Sequence, residues 1–305
     1  MVSHVGLDAG FSEIANGNAG ARAYYAGLLM TETLYLALLT AGTWLACRCL
    51  RRESGWNAFG AGVLFALAGL TRTEAVPIAL GIWGLMLLLG ARRKSLALAV
   101  LFWALPLGGW LCRNHGVVGA FTLDTHGGVT LLHGTMFFDL DQIDTSASQQ
   151  AIDLHPALSR AKHLEELDKD RFYRRAAVEF MRENPGAAAR QWIHKAVNFW
   201  RFYPRMDKVY PDIATAKPDL GVSRWGMVLL SLLFEPALIC LGLWGAWRLR
   251  AMARTLWPFY WVVLATFAVH VLVVSQMRYR LPVTPALMLF ACVWLDKALA
   301  GMARA

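Results

Sequence analysis

Charge is what this sequence has least of. Of its 305 residues only 17% are Asp, Glu, Lys or Arg, while 57% are hydrophobic and the mean hydropathy is +0.41. A soluble domain carries about 25% charged residues. The shortfall excludes an ordinary soluble domain and predicts an integral membrane protein. The formal net charge of +9 would point to nucleic acid in a soluble chain. Here the Lys and Arg residues cluster beside apolar runs, so they report on membrane topology and no nucleic-acid partner is expected. Cysteine is also scarce. Cys47, Cys49, Cys112, Cys240 and Cys292 all fall in or at the ends of apolar runs, without zinc-site spacing to histidine. They read as small apolar side chains. A P-loop, a dinucleotide fingerprint and a Ser-His-Asp arrangement are missing as well. So are paired half-sequences, which places a transporter or flippase last among the readings. The opening stretch, MVSHVGLDAGFSEIANGNAGARA (1–23), has neither the basic start nor the apolar core of a secretory signal.

What is abundant is long apolar runs. A spanning helix needs about 20 mostly apolar residues. Seven stretches meet that measure: 24–47, 55–71, 74–90, 95–112, 225–247, 255–277 and 281–299. The expected fold is an all-α polytopic membrane protein with about seven transmembrane helices and a mostly helical extracytoplasmic loop. Its parts are a polar outer segment (1–23), a four-helix membrane part (24–112), the loop (113–224) and a three-helix membrane part (225–305). The short loops CRCLRR (47–52), ARRK (91–94) and WRLRAMAR (247–254) are the more basic set. They mark the cytoplasmic side, with Lys297, Arg304 and the carboxyl terminus. The amino terminus and the long loop then lie outside. An odd number of spans with the amino terminus outside predicts that a segment is missing upstream.

Some charges break this trend. Arg72 and Glu74 fall in the outer turn TRTE, Arg113 and Asn114 leave the fourth span, and Arg278, Tyr279 and Arg280 fill the outer turn before the last. The planar fork of arginine suits phosphate, so these turns could grip a lipid phosphate. The alternative is a set of arginines snorkelling to anionic headgroups. Glu32 lies inside the first span, where a carboxylate is expensive. It is functional, or ion-paired with one of the arginines, or both. Glu235 and His270 are also intramembrane and could pair; alternatively Glu235, before the kinking Pro236, faces the interface.

Within the loop, 161–203 reads as two helices broken at ENPG (183–186). The second puts Trp192, Val197 or Ala196, Phe199 and Trp200 near one side, with Arg190, His194, Lys195 and Arg201 around it. Such a helix lies on the headgroups or packs on the core of the loop. Upstream are His126, His133, Asp139, Asp141 and Asp144, while Asp124 and His126 could line the same cleft as the arginines. The Asp-Leu-Asp stretch could bind a divalent cation with a sugar diphosphate. It lacks the rest of a calcium loop, so solvated carboxylates are the favoured reading, with no metal site and no cofactor.

Taken in order, YYAGLLMTETLYLALL (24–39), GLTRTEAVPIAL (69–80), PLGGWLCRNHGVVGAFTLDTHGGVTLLHG (106–134), FMRENPGAAARQWIHKAVNFWR (180–201) and RYRLPVTPALMLF (278–290) resemble the bacterial GT-C membrane glycosyltransferases. This is the group related to protein mannosyltransferases and aminoarabinose transferases. The resemblance implies a polyprenyl-phosphate sugar donor, a bilayer setting in the bacterial cytoplasmic membrane, and transfer to an unidentified acceptor outside. The Arg-Tyr-Arg and Thr-Arg-Thr-Glu turns would lie near the donor phosphate. A carboxylate would take the proton of the acceptor hydroxyl while arginines stabilise the departing phosphate. The family also begins with a first span and an outer loop bearing the acidic catalytic residue, and these have no counterpart here. Only Asp8 and Glu13 precede the first span, and no motif assigns them the role. The resemblance therefore predicts a transferase fragment with no assigned catalytic residue, or an inactive lipid-phosphate-binding paralogue.

Overall fold

A computed structural model describes residues 18–51, 54–137, 151–156, 158–201, 224–275 and 277–302, the side chains of 18–31, 162, 224–228, 230–231, 277–278 and 301–302 excepted. Among the described residues, ten α-helices of ten residues or more follow one another: α1 Asn18–Arg51, α2 Gly55–Thr71, α3 Ala75–Leu88, α4 Arg93–Val118, α5 Gly127–Met136, α6 Glu166–Glu183, α7 Pro185–Phe199, α8 Arg224–Arg248, α9 Ala253–Leu272 and α10 Thr284–Met302. No strand occurs among the described residues. Among the described residues, four helical stretches are long and apolar enough to cross a membrane: Glu32–Arg51, Arg93–Val118, Arg250–Leu272 and Tyr279–Ala300.

Two of the expected spans are shorter than a bilayer core. α2 has 17 residues and α3 has 14, and 14 residues rise about 21 Å against a hydrocarbon thickness of about 30 Å. Glycine ends α3. Gly90 takes φ 79° and donates to the Leu87 carbonyl, while Ala91 donates to that of Met86. This paired pattern closes a helix in a left-handed glycine turn. By contrast, α4 runs on to Val118, where Gly119 at φ 75° stops it. Arg113 and Asn114 therefore lie on the helix itself. α9 stops at Leu272, and 273–275 is non-helical before a 3-10 turn at Met277–Val283.

Lipid tails give apolar faces little reason to associate, so spanning helices approach through small residues. α2 buries Ala58, Ala61, Gly62, Ala66, Ala68 and Gly69. A Cβ on Gly62 would stand 2.4 Å from the Ala99 carbonyl oxygen of α4. α8 meets α10 the same way, with Gly245 against the Phe290 carbonyl at 2.3 Å.

A second layer lies on one end of this bundle. α5 and α6 share a small core of Leu132, Ile152, Leu158, Ala161, Tyr173 and Ala177. α7 is seated on the end of α9. Lys195 Nζ donates to the carbonyls of Leu272 (3.2 Å) and Val273 (3.0 Å), Asn198 Nδ2 to that of Ser275 (2.8 Å), and Ser275 Oγ to that of Lys195 (2.9 Å). A cation on the last carbonyls of a helix is favourably placed. The single apolar side expected for this helix is split in two. Phe199 is buried and meets Phe267, while Trp192, Ile193 and Val197 stay exposed. Lys195, expected on the polar edge, is fully buried.

Burial pulls the Lys195 ammonium down to about 8. An unfolded lysine keeps its proton to about pH 10.4. Between those values the unfolded chain binds more protons, so stability rises with pH. Below about 8 the cost of the buried charge is fully present. The thermal midpoint of the wild type is therefore expected to climb from about pH 8 to about pH 10 relative to K195M. Parallel profiles would reject this.

Candidate functional site

Between the bundle end and the second layer lies a cavity of about 750 Å³. Arg72 and Glu74, from the α2–α3 turn, form part of its lining with His270 of α9 and Tyr279 of the 3-10 turn. The second layer adds Asp124, His126, Thr130 and Arg174; α4 adds Trp110. Leu70, Pro77, Val269 and Val273 make apolar wall.

The turn is tight because two amides fold back on it: Ala75 donates to the Arg72 carbonyl and Val76 to that of Thr73, both at 3.0 Å. Arg72 is thereby placed between two carboxylates. Its Nη1 lies 3.5 Å from Glu32 Oε1 and its Nε 3.3 Å from Glu74 Oε1. The guanidinium lies over the rings of Tyr35, at 5.7 Å, and Tyr279, at 5.4 Å. Glu74 Oε2 in turn stands 2.9 Å from His270 Nε2. His270 stacks on Tyr279 with ring centroids 4.6 Å apart and planes 6° from parallel.

In the second layer, Asp124 Oδ1 accepts from the amides of His126 (3.2 Å) and Gly127 (3.1 Å), satisfying the first free amide of α5. Asp170 is buried, accepts from the Gly128 amide, and holds Arg174 Nη2 at 2.7 Å.

Four of the residues expected at the site are brought together here: Arg72, Glu74, His270 and Tyr279. Glu32 stands behind them as the ion-pair partner of Arg72. Asp124 and His126 face the same cavity, as their position in the sequence suggests. Arg113 and Asn114 do not line it. Arg113 donates to Asn114 Oδ1 at 2.9 Å and lies over Trp110, and Asn114 Nδ2 donates to the Thr122 carbonyl at 2.7 Å. Arg280 is buried elsewhere. It donates to the carbonyls of Phe199 (2.9 Å) and Arg201 (2.7 Å) and to the Glu235 carboxylate. Of the two readings left open for Glu235, the pair with His270 is not formed: each has a different partner, because the 3-10 turn carries Arg280 under α7 and the α2–α3 turn carries Glu74 to α9. The Arg278 side chain, Asp8, Glu13, Asp139, Asp141 and Asp144 lie outside the described residues.

Sequence reasoning passed over Arg174, Trp110 and Tyr35. Arg174 had a signal, the four-residue spacing to Asp170 on a helix. Among the described residues no group of three His, Cys, Asp or Glu side chains converges as a metal site would require.

Comparison with known proteins gives no relative: no protein-family model, curated protein or solved structure matches the chain.

Proposed function

We propose that this cavity binds the phosphate of a polyprenyl-phosphate-linked sugar, and that the chain passes the sugar to an acceptor at the outer face of a bacterial cytoplasmic membrane. One observation carries the reading. Arg72, braced by Glu32 and Glu74, faces a cavity with apolar wall at the end of helices fit to span a bilayer. A braced guanidinium supplies fixed donors for a phosphate, and the apolar wall suits the first units of a lipid tail. Outer-face placement takes α2, α3 and α8 as further spans, seven in all, and the second layer as the extracytoplasmic loop.

A second reading keeps the phosphate site without transfer. It is favoured by the state of Glu74, whose two oxygens face Arg72 and His270 and leave it poorly placed as a base. The test is reconstitution into liposomes with a polyprenyl-phosphate donor carrying labelled sugar. Transfer to an added acceptor supports the enzyme, and saturable binding without transfer supports the second reading. Absence of both would reject the site. In the same assay, Glu32→Gln is expected to weaken binding more than it lowers the thermal midpoint, because it loosens Arg72 at a contact that is partly exposed. Wild-type binding by E32Q would remove Glu32 from the site.

A further inference from the structure

We propose that His270 is the positioning residue of the phosphate site, acting on Arg72 through a proton it shares with Glu74; this rests on the reading that Arg72 holds the ligand phosphate. His270 Nδ1 lies 3.0 Å from the Val274 carbonyl oxygen. A carbonyl only accepts, so Nδ1 carries the hydrogen. Nε2 then faces Glu74 Oε2 across 2.9 Å. A bare ring nitrogen and a carboxylate oxygen are both acceptors and would repel at that distance. One of the two therefore carries a proton: the ring as an imidazolium paired with the carboxylate, or the carboxyl itself.

That proton fixes the direction of Glu74. With Oε2 tied to His270, Oε1 is turned to Arg72 Nε at 3.3 Å. Glu32 takes the other side of the guanidinium, and Tyr279 lies against its face. The result is a line of contacts from the Val274 carbonyl through His270 and Glu74 to Arg72. Its base is rigid. His270 is buried and stacked between Tyr279, at 4.6 Å, and Phe199 of α7, at 6.2 Å. The carbonyl it donates to belongs to the non-helical segment on which α7 is seated. The imidazole therefore fixes the arginine of the bundle by reference to the second layer, the two walls of the cavity.

Two substitutions separate this role from packing. Phe at 270 keeps a flat ring between Tyr279 and Phe199 but has no proton to share. Gln at 270 loses the ring but keeps an N–H donor toward Glu74. Binding of polyprenyl phosphate to protein in nanodiscs is the readout. H270F is expected to bind about tenfold or more weakly, as when a group that orients a ligand-binding residue is lost. H270Q is expected to stay within about threefold, less than one net hydrogen bond. H270F and E74Q together are expected to cost no more than the worse of the two, since they break one line. A far-downfield imidazole proton resonance should mark the shared proton in the wild type and vanish in both E74Q and H270Q. Wild-type affinity in H270F, equal losses in H270F and H270Q, or the absence of that resonance in the wild type would each overturn the proposal. Should H270F fail to fold, the resonance and E74Q decide it: E74Q binding as the wild type overturns the role. Failure of the phosphate site looks different. There the wild type binds no polyprenyl phosphate, or R72Q binds as well as the wild type, while the resonance persists; the positioning role falls with the site.

Discussion

Gly134→Ala is expected to unseat the second layer from the bundle. A Cβ at this position would fall 1.7 Å from the Val273 carbonyl oxygen and 2.8 Å from the carbonyl carbon. Both are backbone atoms, so no rotamer change relieves the overlap, and one chain must move by more than an ångström. The carbonyl concerned already accepts from Lys195 Nζ, and its neighbours in the segment serve His270 and Asn198. Displacement therefore disturbs α5, α7 and the end of α9 together. Overpacking of this kind costs about 1–3 kcal/mol and occasionally more; the upper end is expected because the clash is with backbone. The measurement is thermal unfolding in detergent, together with polyprenyl-phosphate binding, which should fall because both walls of the cavity meet at this contact. Gly116→Ala is the control. It sits inside α4 with nothing within 4 Å of an added Cβ, so it should gain about 0.5–1 kcal/mol. Equal stability of G134A and the wild type would show that α5 does not depend on this approach.

The helices themselves were legible, and for a physical reason. An apolar run must satisfy its backbone internally if it is to leave water, so the runs at 24–47, 95–112, 225–247 and 281–299 all lie in helices of the structure. Their ends were less legible. Hydropathy falls at Arg113, yet a helix has no need to stop where polarity begins, and α4 goes on until Gly119 turns it. α3, by contrast, closes at the left-handed Gly90 directly before the basic stretch 91–94, where pattern and structure agree. The split face of α7 was hidden too. Periodicity shows which residues share a side but not that Lys195 and Asn198 would find backbone carbonyls at the end of another helix.

At the site, the sequence marks where charge is costly but not what offsets the cost. Arg72, Glu74, Glu32 and His270 stood out against apolar neighbours, and they form one network. Arg280 gave the same signal and has a different setting, because the deciding partners come from α7 and α8, far along the chain. Arg174 and Tyr35 had the opposite problem. Arg174 is one of many charges on a polar helix, and a tyrosine in a spanning helix is unremarked until an arginine from the next turn lies over its ring.

That contrast makes Arg280→Met the most informative substitution in the bundle. Arg280 is 4% exposed, with one terminal nitrogen on the carbonyls of Phe199 and Arg201 and the other on Glu235. Methionine fills similar volume but donates nothing. It would leave two carbonyls at the end of α7 and a carboxylate without this partner. Breaking a buried ion pair from one side costs about 3–5 kcal/mol. Glu235 is 38% exposed, so water recovers part of that, and about 2–3 kcal/mol is expected. Lysine should restore only a part, since a single ammonium does not reproduce the fork that reaches the carbonyls and the carboxylate together. The double variant R280M/E235Q should be more stable than R280M, because no carboxylate is then left unpaired. Below its lowered midpoint, R280M should bind polyprenyl phosphate as the wild type does, which separates it from R72Q. A variant of normal stability that had lost phosphate binding would instead return Arg280 to the donor site, where the Arg-Tyr-Arg turn of the sequence first placed it.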